Sequence, residues 1–163
     1  RDSNTTPAQH LRIGSTSMTS GTKSGRPKRP EHAITETFRA GLHQCDPLAV
    51  VWHGRYFEWF EQARTELFRS VDLAVPTLRS LGCKMFVVDA NCRYMAPVLY
   101  DHQVAVTAWF LAATPLIRVG YDIHNLDTDR WSARATTSLA TTDKHGNLHT
   151  ITPDGIQTRL PIS

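Results

Sequence analysis

CDPLAVVWHGRYFEWFEQARTELFRSV, residues 45–71, decides the fold of this 163-residue chain. It reads as a short loop that opens into one long helix. A helix advances about 100° per residue, so apolar residues sharing a face recur at i, i+3, i+4 and i+7. Phe57, Phe60, Leu67, Phe68 and Val71 fall on such a face, with Tyr56 and Ala63 at its edge, and Glu58, Gln62, Glu66 and Arg69 fall opposite. Glu61 and Arg64 break the pattern. They project from within the apolar face, three residues apart and within reach of each other, where charges are rare unless paired or functional. Trp59 falls on the outward side, where a large aromatic calls for a partner surface.

On both sides of this stretch the composition is that of one ordinary domain. Formal net charge is +3, but its distribution matters more than its sum. Six basic residues (Arg1, Arg12, Lys23, Arg26, Lys28 and Arg29) stand against Asp2 in the first thirty positions. From Glu31 onward there are twelve basic and fourteen acidic residues, so the folded part is slightly acidic and does not suggest a nucleic-acid-binding domain, which would carry clustered basic residues on a structured face. Residues 1–31, rich in Ser, Thr, Gly and Pro, bury too little apolar surface to offset ordering entropy, and they read as a disordered basic tail. Met18 is a possible natural start. Three cysteines without CxxC spacing argue against a disulfide framework or zinc site and fit a reducing cytoplasm. No apolar run is long enough to span a membrane, and no signal peptide is evident.

Residues 32–43 read as a first strand, the loop runs to Trp52, and the helix covers 54–71. A short second helix over 72–82 is closed by Gly82. Four stretches follow as strands, over 83–95, 103–113, 116–125 and 131–142, the last two clearly alternating. Short connections imply antiparallel hairpins or a meander, which can lay one face on the single helix. The domain is expected over 32–150 and a packed or frayed C-terminal tail over 151–163. The fold class is α+β: an antiparallel five-stranded sheet wrapped around one long helix. Its uncovered edges, together with Trp59, predict a homodimer or homotetramer.

The loop and helix start resemble the hotdog-fold acyl-CoA thioesterases, in the branch of 4-hydroxybenzoyl-CoA thioesterase. The residues carrying the resemblance are Asp46, Val51, His53, Tyr56 and Glu61, followed by Ala63-Arg64. Ala49 stands where the family pattern has Gly, and Arg55 where it has Asn. The resemblance implies a thioester hydrolase acting on acyl-CoA or on acyl carrier protein, with no metal and no cofactor. A hotdog dehydratase is a weaker alternative, because its H-F-P type motif is missing. A non-catalytic acyl-binding protein is the remaining one.

Thioester hydrolysis needs an activated water or nucleophile, donors for the oxyanion, and a dry acyl site. A carboxylate can attack the carbonyl or deprotonate water, and Asp46 is expected in that role. Unpaired N–H groups at a helix start carry partial positive charge, so the backbone near His53 and Gly54 is the expected oxyanion site. His53 either hydrogen-bonds Asp46 or the substrate, acts as an acid to the leaving thiolate, or merely begins the helix. Glu61 either orients water or pairs with Arg64. Gly54, Tyr56, Trp52 and Phe57 complete the candidate site as substrate contacts, and the aromatics among them serve equally well as core. Arg93, Arg118 and Arg134 alternate with apolar residues and suit either phosphate contacts or the solvated face of the sheet.

Overall fold

A computed structural model describes residues 28–162. The basic tail expected over 1–31 therefore lies, through residue 27, outside the described residues. In chain order the elements are strand β1 (Ile34–Arg39), helix α1 (Tyr56–Ser70), helix α2 (Val75–Ser80), strands β2 (Lys84–Tyr94), β3 (Gln103–Ala112), β4 (Ile117–Asn125) and β5 (Arg130–Thr142), and the short helix α3 (Asp154–Gln157). The strand expected over 32–43 stops at Arg39, and a 3₁₀ turn at Leu42–Gln44 follows it. A second 3₁₀ turn, His53–Arg55, leads into α1. α2 ends as expected: Gly82 takes φ +67°, and the Cys83 N–H donates back to the Leu78 carbonyl at 2.9 Å. That left-handed position favours glycine.

All pairings are antiparallel and the sheet order is β1-β3-β4-β5-β2. The expected meander holds for β3, β4 and β5 but fails for β2, which pairs with β5 at the far edge. The physical reason lies in residues 95–102, which cross beneath the start of α1 instead of turning back. Val98, fully buried, donates its N–H to the Tyr56 hydroxyl at 3.3 Å, and its carbonyl accepts the Val51 N–H at 2.9 Å. A hairpin would leave Val98 exposed and those groups unpartnered.

The sheet curls around α1, which buries Tyr56, Trp59, Phe60, Ala63, Leu67 and Phe68. Each large apolar side chain taken from water contributes about 1.5–3 kcal/mol. Two expectations from helical periodicity are corrected here. Trp59 does not face outward. It is 1% exposed, with its ring 6.3 Å from Phe38 and 5.4 Å from Tyr56. The curl carries β1 across the flank of the helix, so the buried arc is wider than one stripe. Glu61 does not sit in the core. It is exposed, and the ion pairs of α1 run between Arg55 and Glu58 and between Arg69 and Glu66, not from Glu61 to Arg64.

The C-terminal segment packs. Ile156 and Leu160 join the same hydrophobic cluster as the α1 residues, and Arg159 pairs with Asp72. On the outer face of the sheet, the Arg134 Nε donates to Asp122, itself 1% exposed, at 2.9 Å. Arg29 reaches the same carboxylate, with its guanidinium 4.3 Å above the Trp109 ring. Arg93 and Arg118 are exposed, as a solvated sheet face requires. Among the described residues no helix is long and apolar enough to cross a membrane.

Candidate active site

The loop before α1 is closed by its own backbone. Cys45 bridges Val51, and the Asp46 N–H donates to the Val50 carbonyl at 2.8 Å. The Asp46 carboxylate binds the loop from within: Oδ1 accepts the N–H of Leu48 at 2.8 Å and of Val50 at 3.1 Å. Its other oxygen, Oδ2, accepts no hydrogen bond among the described residues. Asp46 therefore holds the loop with one oxygen and leaves the second without a hydrogen bond among the described residues. It makes no hydrogen bond to His53, one of the partners its sequence position allowed.

Ala49 sits at the tip of this loop with φ +60°, where the family pattern has Gly. The left-handed region costs an L-residue about 1–2 kcal/mol, part of which glycine returns as unfolded-chain entropy. Ala49→Gly is therefore expected to stabilise the protein by about 0.5–1 kcal/mol, seen as a rise in Tm of about 1–4 °C. An unchanged or lower Tm would show that the loop bears no strain.

The helix start is open. Trp52 occupies the cap position without a side-chain hydrogen bond to the turn, where Ser, Thr or Asp would satisfy one of the free donors. The N–H of Trp52 is taken by the Gln44 carbonyl and that of Arg55 by the Trp52 carbonyl. The N–H groups of His53 and Gly54 have no acceptor among the described residues. These two donors sit where partial positive charge collects. A Cβ on Gly54 would lie 2.0 Å from Trp52 Cζ3, so the Trp52 indole covers the glycine and leaves no room for a side chain. The next turn is tied by Arg55 to Glu58, which also accepts from Gln44 Nε2 at 3.3 Å. Arg55 thus links the helix start to the preceding loop where the family pattern has Asn.

Beside the helix start lies a largely apolar cavity of about 320 Å³ lined by Val50, Val51, His53, Tyr56, Tyr94, Met95, Ala96 and Pro97. The Tyr94 hydroxyl donates to the His53 carbonyl at 2.8 Å. Burial raises the pKa of Tyr56 and of Tyr94 above the ordinary tyrosine value, so both remain protonated. Of the residues expected to bind substrate, Tyr56 lines this cavity and Gly54 adjoins it. Trp52, 52% exposed, packs its ring 4.6 Å from His53. Phe57 turns the other way and meets Phe60 edge-on at 5.6 Å.

Glu61 is elsewhere. It lies eight residues beyond His53, about 12 Å along the helix axis. There it lines a second cavity of about 360 Å³, with a more polar wall, together with Arg64, Phe68, Leu73, Met85, Phe86 and Val87. One chain therefore brings Asp46, His53, Gly54 and Tyr56 to one end of α1 and places Glu61 apart. Tyr94, Met95 and Pro97 were not legible as site residues. Tyr94 lies 41 residues from His53, and nothing local in its strand points to the helix start.

Residues 48–131 match the family described as the Thioesterase superfamily. The chain is 33% identical over 63 residues to an Aquifex aeolicus protein whose name as an esterase is provisional, a stretch covering 39% of this chain and 49% of the relative. It is 29% identical over 114 residues to a provisionally named acyl-CoA thioesterase of Bacillus subtilis, covering 69% of this chain and 82% of that one. The match spans less than half the length of the first two curated relatives, 49% and 40%. Among solved structures, a 1,4-dihydroxy-2-naphthoyl-CoA thioesterase from Synechocystis superposes with a TM-score of 0.68 at 19% identity, over 78% of this chain and 95% of that one. Likeness at that identity is likeness of the hotdog fold.

Proposed function

The chain belongs to the Thioesterase superfamily, and from that premise we propose that it hydrolyses an acyl or aroyl thioester of coenzyme A to the free acid and the thiol. The observation that carries the reading is the pair of unclaimed N–H groups at His53 and Gly54 beside an apolar cavity. Such donors stabilise negative charge as it develops on a carbonyl oxygen, each worth roughly 3–4 kcal/mol when removed from a comparable site. The Asp46 Oδ2 supplies the base or nucleophile. As a base it takes a proton from water while the water oxygen attacks the carbonyl carbon. The C–S bond then breaks, and the thiolate departs with a proton. His53, exposed, lining the cavity and with no hydrogen bond to its ring among the described residues, is the group we assign to deliver that proton.

Glu61 joins the site through a second copy of the chain. β2 is an eleven-residue edge strand that exposes Phe86, Val87 and Val88 at 45%, 39% and 49%. A long apolar edge of this kind templates pairing with another chain. β1, the other edge, has six residues and carries Glu36 and Arg39. Antiparallel pairing of β2 with its copy about a two-fold axis sets the Tyr94 end of one strand beside the Met85 end of the other. The helix-start cavity of one copy then adjoins the cavity lined by Glu61 of the other. This homodimer is the assembly the reading requires.

The test is free-thiol release from benzoyl-, short-chain and long-chain acyl-CoA, with the mass in solution measured alongside. We expect turnover by a dimer. The double variant Phe86→Lys/Val88→Lys places like charges across the pairing, and is expected to run as a monomer with activity reduced more than tenfold. A monomeric variant with full activity would remove the second copy from the mechanism. No thiol release from any coenzyme A ester would overturn the substrate assignment.

A further inference from the structure

The proposed oxyanion donor at Gly54 belongs to the same peptide unit as the His53 carbonyl. A peptide is planar, so the direction of its C=O sets the direction of its N–H. The Tyr94 hydroxyl donates to that carbonyl at 2.8 Å. It is the one side-chain hydrogen bond from the sheet to this turn among the described residues. Glycine makes such a peptide easy to rotate, since its φ is the least restricted, and no capping side chain holds the turn. The Tyr94 ring is itself held: it meets Tyr56 edge-on at 5.1 Å and His53 edge-on at 6.1 Å, and Tyr56 is bonded to Val98.

We propose that Tyr94 is a positioning residue for the oxyanion site, its hydroxyl orienting and polarising the His53–Gly54 peptide so that the Gly54 N–H faces the reacting carbonyl. Two effects act together. The bond fixes the peptide plane. It also draws electron density toward the carbonyl oxygen, which makes the N–H on the same peptide a better donor, as hydrogen-bond chains do. Although Tyr94 is 42% exposed as a residue, local desolvation of its hydroxyl raises its pKa, with the Cys92 thiol adding to the rise, so the donor is present around neutral pH. Tyr94 closes β2, the strand proposed to pair the two copies, so the oxyanion site is anchored to the edge where the second copy docks. The inference rests on the thioesterase reading, and it adds a residue that the sequence pattern does not contain.

Tyr94→Phe removes the hydroxyl and keeps the ring. The expected result is a fall in kcat of about tenfold, a part of the 10²–10³ that complete loss of such a donor causes. KM stays within twofold and Tm within about two degrees. A trifluoromethyl ketone analogue of the acyl-CoA, which carries the oxyanion, is expected to lose about tenfold in affinity for the variant. A thioether analogue, which does not, is expected to bind both proteins alike. The Gly54 amide nitrogen resonance should also shift when the carbonyl bond is lost. Wild-type kcat together with unchanged analogue affinity would overturn the proposal. So would equal losses for both analogues accompanied by a falling Tm, since that pattern marks a merely structural tyrosine. If the wild-type protein released no thiol at all, the thioesterase reading would fail first. The Gly54 resonance would then decide the role of Tyr94 by itself: a shift supports it and an unmoved resonance refutes it.

Discussion

Asp46→Asn is expected to lower kcat by about 10²–10⁴, the usual contribution of a general base, while leaving the loop intact. The geometry separates the loop bonds of this residue from its proposed chemistry. Oδ1 accepts the N–H groups of Leu48 and Val50, and an asparagine amide oxygen can accept both. What Asn lacks is the charge and basicity of the second oxygen. Tm is therefore expected to stay within about two degrees. Asp46→Ala loses the chemistry and the loop bonds together, each bond worth about 0.5–1.5 kcal/mol, so its Tm should fall where that of Asn does not. Thiol release and thermal unfolding of the three proteins, side by side, give the answer. An Asn protein with wild-type turnover would leave Asp46 as a loop cap alone, and the base would have to be sought at His53 or at Glu61 of the second copy.

Trp59→Ala is expected to cost about 3–5 kcal/mol, the range for removing a large aromatic from a close-packed core. The indole is 1% exposed and lies against Phe38 and Tyr56. Ordinary domains are stable by only about 5–15 kcal/mol, so the variant is expected to be partly unfolded at moderate temperature. Urea unfolding at an unchanged m-value measures the loss. The alternative, an outward Trp59 serving only as an interface residue, predicts a monomer stability change within about 0.5 kcal/mol. The two outcomes do not overlap. Tyr56 packs on Trp59 and holds Val98, so the same cavity is also expected to loosen the crossing segment that lines the site.

Much of the molecule was legible in the chain alone, and for local reasons. The 3.6-residue period marks α1, and alternation along the sequence marks β4 and β5, because each element repeats its own geometry along the sequence. Gly82 marks the end of α2 because a left-handed residue is needed there. The resemblance of residues 46–64 to the thioesterases selected the fold and pointed to Asp46 and to the helix start.

Tertiary structure alone decided the rest. Trp59 is inside because β1 curls over the helix flank, and no window of sequence contains that curl. β2 left the meander because residues 95–102 bond to Val51 and Tyr56, partners more than forty positions away. Glu61 stands apart from Asp46 because eight helical residues separate it from His53, whatever their shared signature. Tyr94 entered the site through one hydrogen bond between distant segments. Sequence periodicity records which face of an element is apolar. Only the curled sheet determines how wide the buried arc is, which donors stay free, and which edges stay unpaired.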